Sequence, residues 1–76
     1  MNIVSVYISL KKTVADPQGQ TVKHALESLD YKEVEEVRMG KYIQLKMKDA
    51  TEEKVNDICK KLLVNPIIEE YRFEIK

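Results

Sequence analysis

Seventy-six residues carry 13 Lys or Arg against 13 Asp or Glu, with 43% hydrophobic and 34% charged content. A chain of this size and composition is one globular domain, residues 1–76, that buries only about 60% of the surface it exposes when unfolded. Its zero formal net charge gives no global field to attract nucleic acid or an anionic membrane, and a core worth roughly 3–5 kcal/mol makes self-association an expected supplement.

Residues 3–10 alternate, with Val4, Val6, Ile8 and Leu10 on one face and Ile3, Ser5, Tyr7 and Ser9 on the other. That period predicts a strand, ended by Lys11-Lys12-Thr13. Asp16-Pro17 then predicts a helix start, because Asp accepts from the free N–H groups of a first turn and Pro lacks only an N–H that has no partner there. Val22, Ala25, Leu26 and Leu29 follow as an apolar stripe, and Asp30-Tyr31 ends the element.

Val34–Met39 and Tyr42–Lys48 read as two strands around a turn at Gly40-Lys41, where Gly supplies the positive φ of a tight hairpin. Ile43, Leu45 and Met47 share one face of the second strand. Glu35-Glu36 interrupts the first, which suggests a bulge. Asp49-Ala50-Thr51-Glu52 opens a second helix, with Asp49 or Thr51 as its cap. Val55, Ile58, Cys59, Leu62 and Leu63 form its stripe, and Lys60 and Lys61 suit the negative end of its dipole. Pro66 stops it. Glu70–Ile75 is a last strand, with Tyr71, Phe73 and Ile75 on one face.

The predicted order is β-α-β-β-α-β. This is an α+β, two-layer split βαβ (ferredoxin-like) domain, with a mainly antiparallel sheet and both helices on one face. The other face is left open. It should show Ile3, Ser5, Tyr7, Ser9, Tyr42, Gln44, Lys46, Arg72 and Glu74, a mixed polar and aromatic surface suited to contact.

No residue cluster reads as a catalytic centre. His24, the one histidine, lies beside Ala25 and away from any Cys; a base would need a nucleophile or an orienting carboxylate within reach, and a surface or flank residue is the simpler reading. Cys59 lies inside an apolar stripe and reads as a small core residue. One Cys and one His cannot supply four zinc ligands, and no Cys-x-x-Cys occurs. Glu35-Glu36 and Glu69-Glu70 point to opposite faces of a strand, so neither is a carboxylate dyad. Asp16-Pro17-Gln18-Gly19 resembles an anion-binding helix start, but Asp16 would repel a phosphate; a cap with a turn is the simpler reading.

An RNA-recognition module shares this topology, yet the strand after Gly40 has a single aromatic residue, Tyr42. A ligand-binding regulatory domain of the same topology is the other alternative. No window is apolar enough to span a bilayer, and Met1-Asn2-Ile3-Val4 lacks a signal-peptide pattern, so a cytosolic setting is expected.

Several ordered segments resemble the PurS family, the small subunit of phosphoribosylformylglycinamidine (FGAM) synthase. They are Val4-Ser5-Val6-Tyr7-Ile8-Ser9-Leu10-Lys11, Asp16-Pro17-Gln18-Gly19, Ala25-Leu26, Leu29-Asp30-Tyr31, the segment from Val34 to Ile43, and the stretch from Cys59 to Ile75. Met39 and Val64 stand where the family is expected to carry Val and Ala. The resemblance implies a non-catalytic structural role in purine biosynthesis. The whole complex converts formylglycinamide ribonucleotide to its amidine with ATP and glutamine. A synthetase (PurL-like) subunit is implied to use ATP and magnesium, a glutaminase (PurQ-like) subunit to release ammonia, and this chain to join them as a dimer or tetramer, with no cofactor of its own. Asp16, Gln18, Gly19, Arg38, Gly40, Lys41, Tyr42, Asn65, Pro66 and Tyr71 are then the candidate residues that form or hold the subunit contacts.

Overall fold

Alternation of β-branched residues builds the central strand β1 (Asn2–Leu10). In a computed structural model that describes all of residues 1–76, β1 pairs antiparallel with β2 (Gly40–Met47) on one side and β3 (Glu69–Ile75) on the other, in the order β2-β1-β3. The register sets Val6 opposite both Ile43 and Phe73. Even-numbered apolar positions of β1 thus share a face with the odd-numbered ones of its neighbours.

That face is covered by α2 (Glu52–Ile58), which continues into a single π-helical turn at Cys59–Leu63. Val4, Val6, Ile8, Val55, Cys59 and Val64 are the buried core, with Ile43, Leu45, Met47, Tyr71, Phe73 and Ile75 packed around it. Thr51 is the cap of α2: its Oγ1 accepts from the Lys54 N–H at 3.2 Å. Asp49 lies instead in the left-handed region, at φ 53°.

The other helix, α1 (Pro17–Ser28), has the predicted Asp16 cap and a Pro in its first turn. It ends in a Schellman arrangement. The Tyr31 N–H donates to the Leu26 carbonyl and the Asp30 N–H to the Glu27 carbonyl, with Asp30 at φ 74°.

The α+β class and antiparallel sheet are as predicted, and two details differ. First, the sheet has three strands, because Val34–Met39 makes no ladder. Both edges of β1 are already occupied, and the groups of this segment turn to the start of α1: the Met39 N–H donates to Asp16, and the Val37 carbonyl abuts Gly19. Gly40 is therefore the first residue of β2 rather than a turn, and its φ is not positive. Its lack of a side chain matters in another way, since a Cβ would stand 2.6 Å from the Ile8 carbonyl oxygen.

Second, α2 alone covers the sheet. No apolar residue of α1 belongs to the core or to the apolar residues packed against it, and Val22 and Leu29 of its stripe are 38% and 68% exposed. The helix and the chain returning from it, residues 17–39, form an arm. The molecule measures 48 × 25 × 14 Å with a radius of gyration of 15.7 Å, against about 11 Å for a compact chain of this length. Its 5995 Å² of accessible surface exceeds by about 1,200 Å² what a compact monomer of this mass would show.

Candidate functional site

The residues singled out from sequence fall into three places. At the root of the arm, Asp16 is 4% exposed. Its Oδ1 accepts from the Gly19 N–H at 2.9 Å, and its Oδ2 from the Met39 N–H at 2.7 Å. The Met39 and Gly19 N–H groups, helped by the nearby Arg38 charge, hold its carboxyl below the ordinary value against the opposing effect of burial. Gly19 is required because a Cβ there would meet the Val37 carbonyl and the Asp16 carboxylate. Arg38 faces the same loop. Its guanidinium donates to the carbonyls of Lys11 and Val14, both at 3.0 Å.

A shallow cleft of about 110 Å³ adjoins this root, lined by Asp16, Gln18, Gly40, Lys41 and Glu69 among others. Glu69 joins the elements there. It accepts from the Asn65 N–H at 2.7 Å and pairs with the Lys41 ammonium at 3.4 Å. Asn65 in turn accepts from the Ile67 N–H at 3.1 Å, which closes the Asn65-Pro66-Ile67 turn. Arg38 and Lys41, both candidates to form or hold subunit contacts, thus already have partners within the chain. Glu69 was missed from sequence, because only the pairing of β1 with both neighbours brings it beside Lys41.

Tyr42 lies elsewhere, on the open face of the sheet. Its ring sits 5.2 Å from that of Tyr7, and its hydroxyl is 3.2 Å from Ser5 Oγ. Gln44 donates to that hydroxyl at 3.4 Å. The Arg72 guanidinium lies 4.0 Å over the Tyr7 ring, a cation–π contact. Strand alternation had predicted this surface correctly. Tyr71 is on the opposite, covered face. Its hydroxyl donates to Asn56 Oδ1 at 2.7 Å, a tie between β3 and α2.

Few groups here suit bond-making chemistry. Cys59 is fully buried and burial pushes its thiol up, away from the reactive thiolate. His24 is exposed on α1. No three His, Cys, Asp or Glu residues come together as metal ligands, and no helix is long and apolar enough to cross a membrane. What the chain offers is surface: an open aromatic sheet face and an uncovered helix.

Comparison with known proteins says what kind of surface-bearing chain this is. The model of the family described as PurS, phosphoribosylformylglycinamidine (FGAM) synthase, matches residues 3–76. The chain belongs to the PurS family. It is 47% identical over 76 residues to the FGAM synthase subunit PurS of Bacillus subtilis, covering 96% of this chain and 90% of that one. It is 41% identical over 76 residues to the Methanocaldococcus jannaschii subunit, covering 95% and 92%.

A solved structure of Bacillus subtilis PurS superposes with a TM-score of 0.92 at 48% identity, over 100% of this chain and 99% of that one. A chain in the structure of PurLQS from Thermotoga maritima superposes with a TM-score of 0.81 at 30% identity, over 100% and 99%. The resemblance drawn from ordered segments is borne out. As a PurS-family chain, this protein is a subunit of FGAM synthase in purine biosynthesis.

Proposed function

We propose that this chain is the joining subunit of FGAM synthase and carries none of its reacting groups. In this reading it holds a PurL-like synthetase and a PurQ-like glutaminase together in the cytoplasm. Ammonia released from glutamine then reaches the synthetase without loss to water. ATP and magnesium act on the synthetase.

The observation that carries the reading is the likeness along the whole chain to a chain of the Thermotoga maritima PurLQS structure. The shape supports it. An excess of about 1,200 Å² over a compact monomer is enough for one partner's share, about 800 Å², of a standard interface.

Two surfaces suit different contacts. Val22, Leu29 and Tyr31 of the arm are apolar and exposed, which fits self-association as a dimer or tetramer. Tyr42, with Tyr7 and Arg72, makes an aromatic and charged face of the kind that anchors protein contacts. Asp16, Gly19, Arg38, Gly40, Lys41, Asn65 and Pro66 act in this reading by holding those surfaces in place. Gln18, exposed at the cleft, is the member of that group free to touch a partner, and Tyr71 serves the core.

Reconstitution tests the proposal. Glutamine-dependent amidine formation is measured with the two larger subunits, with and without this chain. The expected result is activity only when the chain is present, and no glutaminase or ATPase activity from the chain alone. Equal activity without the chain, or either activity from the chain by itself, contradicts the proposal.

A further inference from the structure

We infer that Asp16, Gly19 and Arg38 form a clasp that sets the angle of the α1 arm, and that the arm opens as a unit while the sheet and α2 stay folded. The arm leaves the body at residue 17 and returns at residue 39. None of its apolar side chains belongs to the core or to the apolar residues packed against it. What fixes it is polar. Asp16 binds the helix start through Gly19 with one oxygen and the returning chain through Met39 with the other. Arg38 ties that returning chain to the carbonyls of Lys11 and Val14, on the loop that leads into the helix.

Three of these hydrogen bonds cross the arm at its base, and the fourth, from Gly19 to Asp16, caps the helix beside them. Gly19 lets the two strands of chain close on each other there, since its missing Cβ leaves room for the Val37 carbonyl. The two halves of the clasp differ in accessibility. Asp16 is buried, whereas the Arg38 bonds lie at the surface. Opening the arm would therefore disturb no apolar packing of the core. Segments held in this way open at lower free energy than the whole molecule. The clasp gives the arm a definite direction without making it part of the core, so its apolar stripe is presented at a fixed angle to the sheet.

Native-state amide hydrogen exchange on the full chain tests this, comparing wild type with Asp16→Ala and with Arg38→Met. In Asp16→Ala, the α1 amides from Thr21 to Ser28 are expected to exchange about tenfold faster or more, with β1 amides changing less than about twofold. Arg38→Met should show the same pattern with a smaller acceleration, about threefold, because its bonds are already wet. If Asp16→Ala does not fold, Arg38→Met alone decides. Equal acceleration of α1 and β1 amides in Arg38→Met makes the arm and core one cooperative unit and overturns the inference. So do unchanged α1 amides in both variants.

Discussion

In the half of the molecule built from β1, β2, β3 and α2, apolar stripes close on one another. Val4, Val6 and Ile8 of β1 meet Val55 and Cys59 of the helix, and all are buried. In the arm, the stripe of α1 does not reach the core: Val22 and Leu29 remain exposed, as does Tyr31 just beyond the helix. Both helices have a good cap and an apolar face, so local signals do not distinguish them. What distinguishes them is the chain that follows. Val64 and Pro66 turn the chain straight back into β3, which draws α2 onto the sheet. After α1, the chain returns through Val34–Met39 to the root of the helix itself, and the clasp at Asp16 holds it there. One half supplies the fold, and the other supplies a surface that self-association would cover.

Damage to each half in turn should have unequal consequences. Ile8→Ala removes a side chain that is 3% exposed. It should cost about 2–5 kcal/mol, comparable to the whole stability of so small a core, and urea unfolding by circular dichroism should find the variant largely unfolded. Leu29→Ala, at an exposed position, should leave the monomer within about 0.5 kcal/mol of wild type. Equal losses from the two changes would remove the distinction.

Gly19→Ala comes next in size. The added Cβ has no room beside the Val37 carbonyl, and about 1–3 kcal/mol of destabilisation is expected for such overpacking, read as a lower Tm. Cys59→Ser places a hydroxyl in the apolar centre of the core and should cost about 1–2 kcal/mol. A fully stable serine variant would mean that Cys59 is not packed as described.

Acid provides a gentler probe of the root. Backbone N–H groups of Met39 and Gly19 hold the Asp16 carboxyl below its ordinary value of 3.8. A depressed folded-state value means that its contribution is complete above the ordinary value and is lost as pH falls through the folded-state one. The Tm of wild type should therefore fall more steeply from about pH 4 to about pH 2 than that of Asp16→Asn. Parallel curves would show that this carboxylate does not contribute.

A small effect of opposite sign is expected at Asp30, whose φ of 74° suits glycine. Asp30→Gly should be neutral or stabilising by up to about 1 kcal/mol, and a clear loss would contradict the Schellman geometry.

These differences also mark what was legible in the sequence. Period-2 alternation in residues 3–10 and 70–75 fixed which side chains enter the core, because a strand has only two faces. The Asp16 cap was legible because its partner Gly19 lies three residues on. The second acceptor role of Asp16, toward Met39, was not: it depends on where the arm returns. Val34–Met39 has a strand-like composition, but strand formation needs an available neighbour, and β1 already has two. Periodicity in α1 showed an apolar face without showing what covers it. The pairing of Lys41 with Glu69 is hidden in the sequence for a related reason, since Glu69 reaches Lys41 only through the register. The family was legible from ordered segments, whereas geometry alone led only to a chain with surface to share.

In the proposed self-association, the arm and not the core supplies the contact. Sedimentation equilibrium of Val22→Ser, Leu29→Ser beside wild type addresses it most directly, with circular dichroism confirming that both are folded. An oligomer is expected for wild type and a folded monomer for the double variant. A double variant that assembles as tightly as wild type would contradict it.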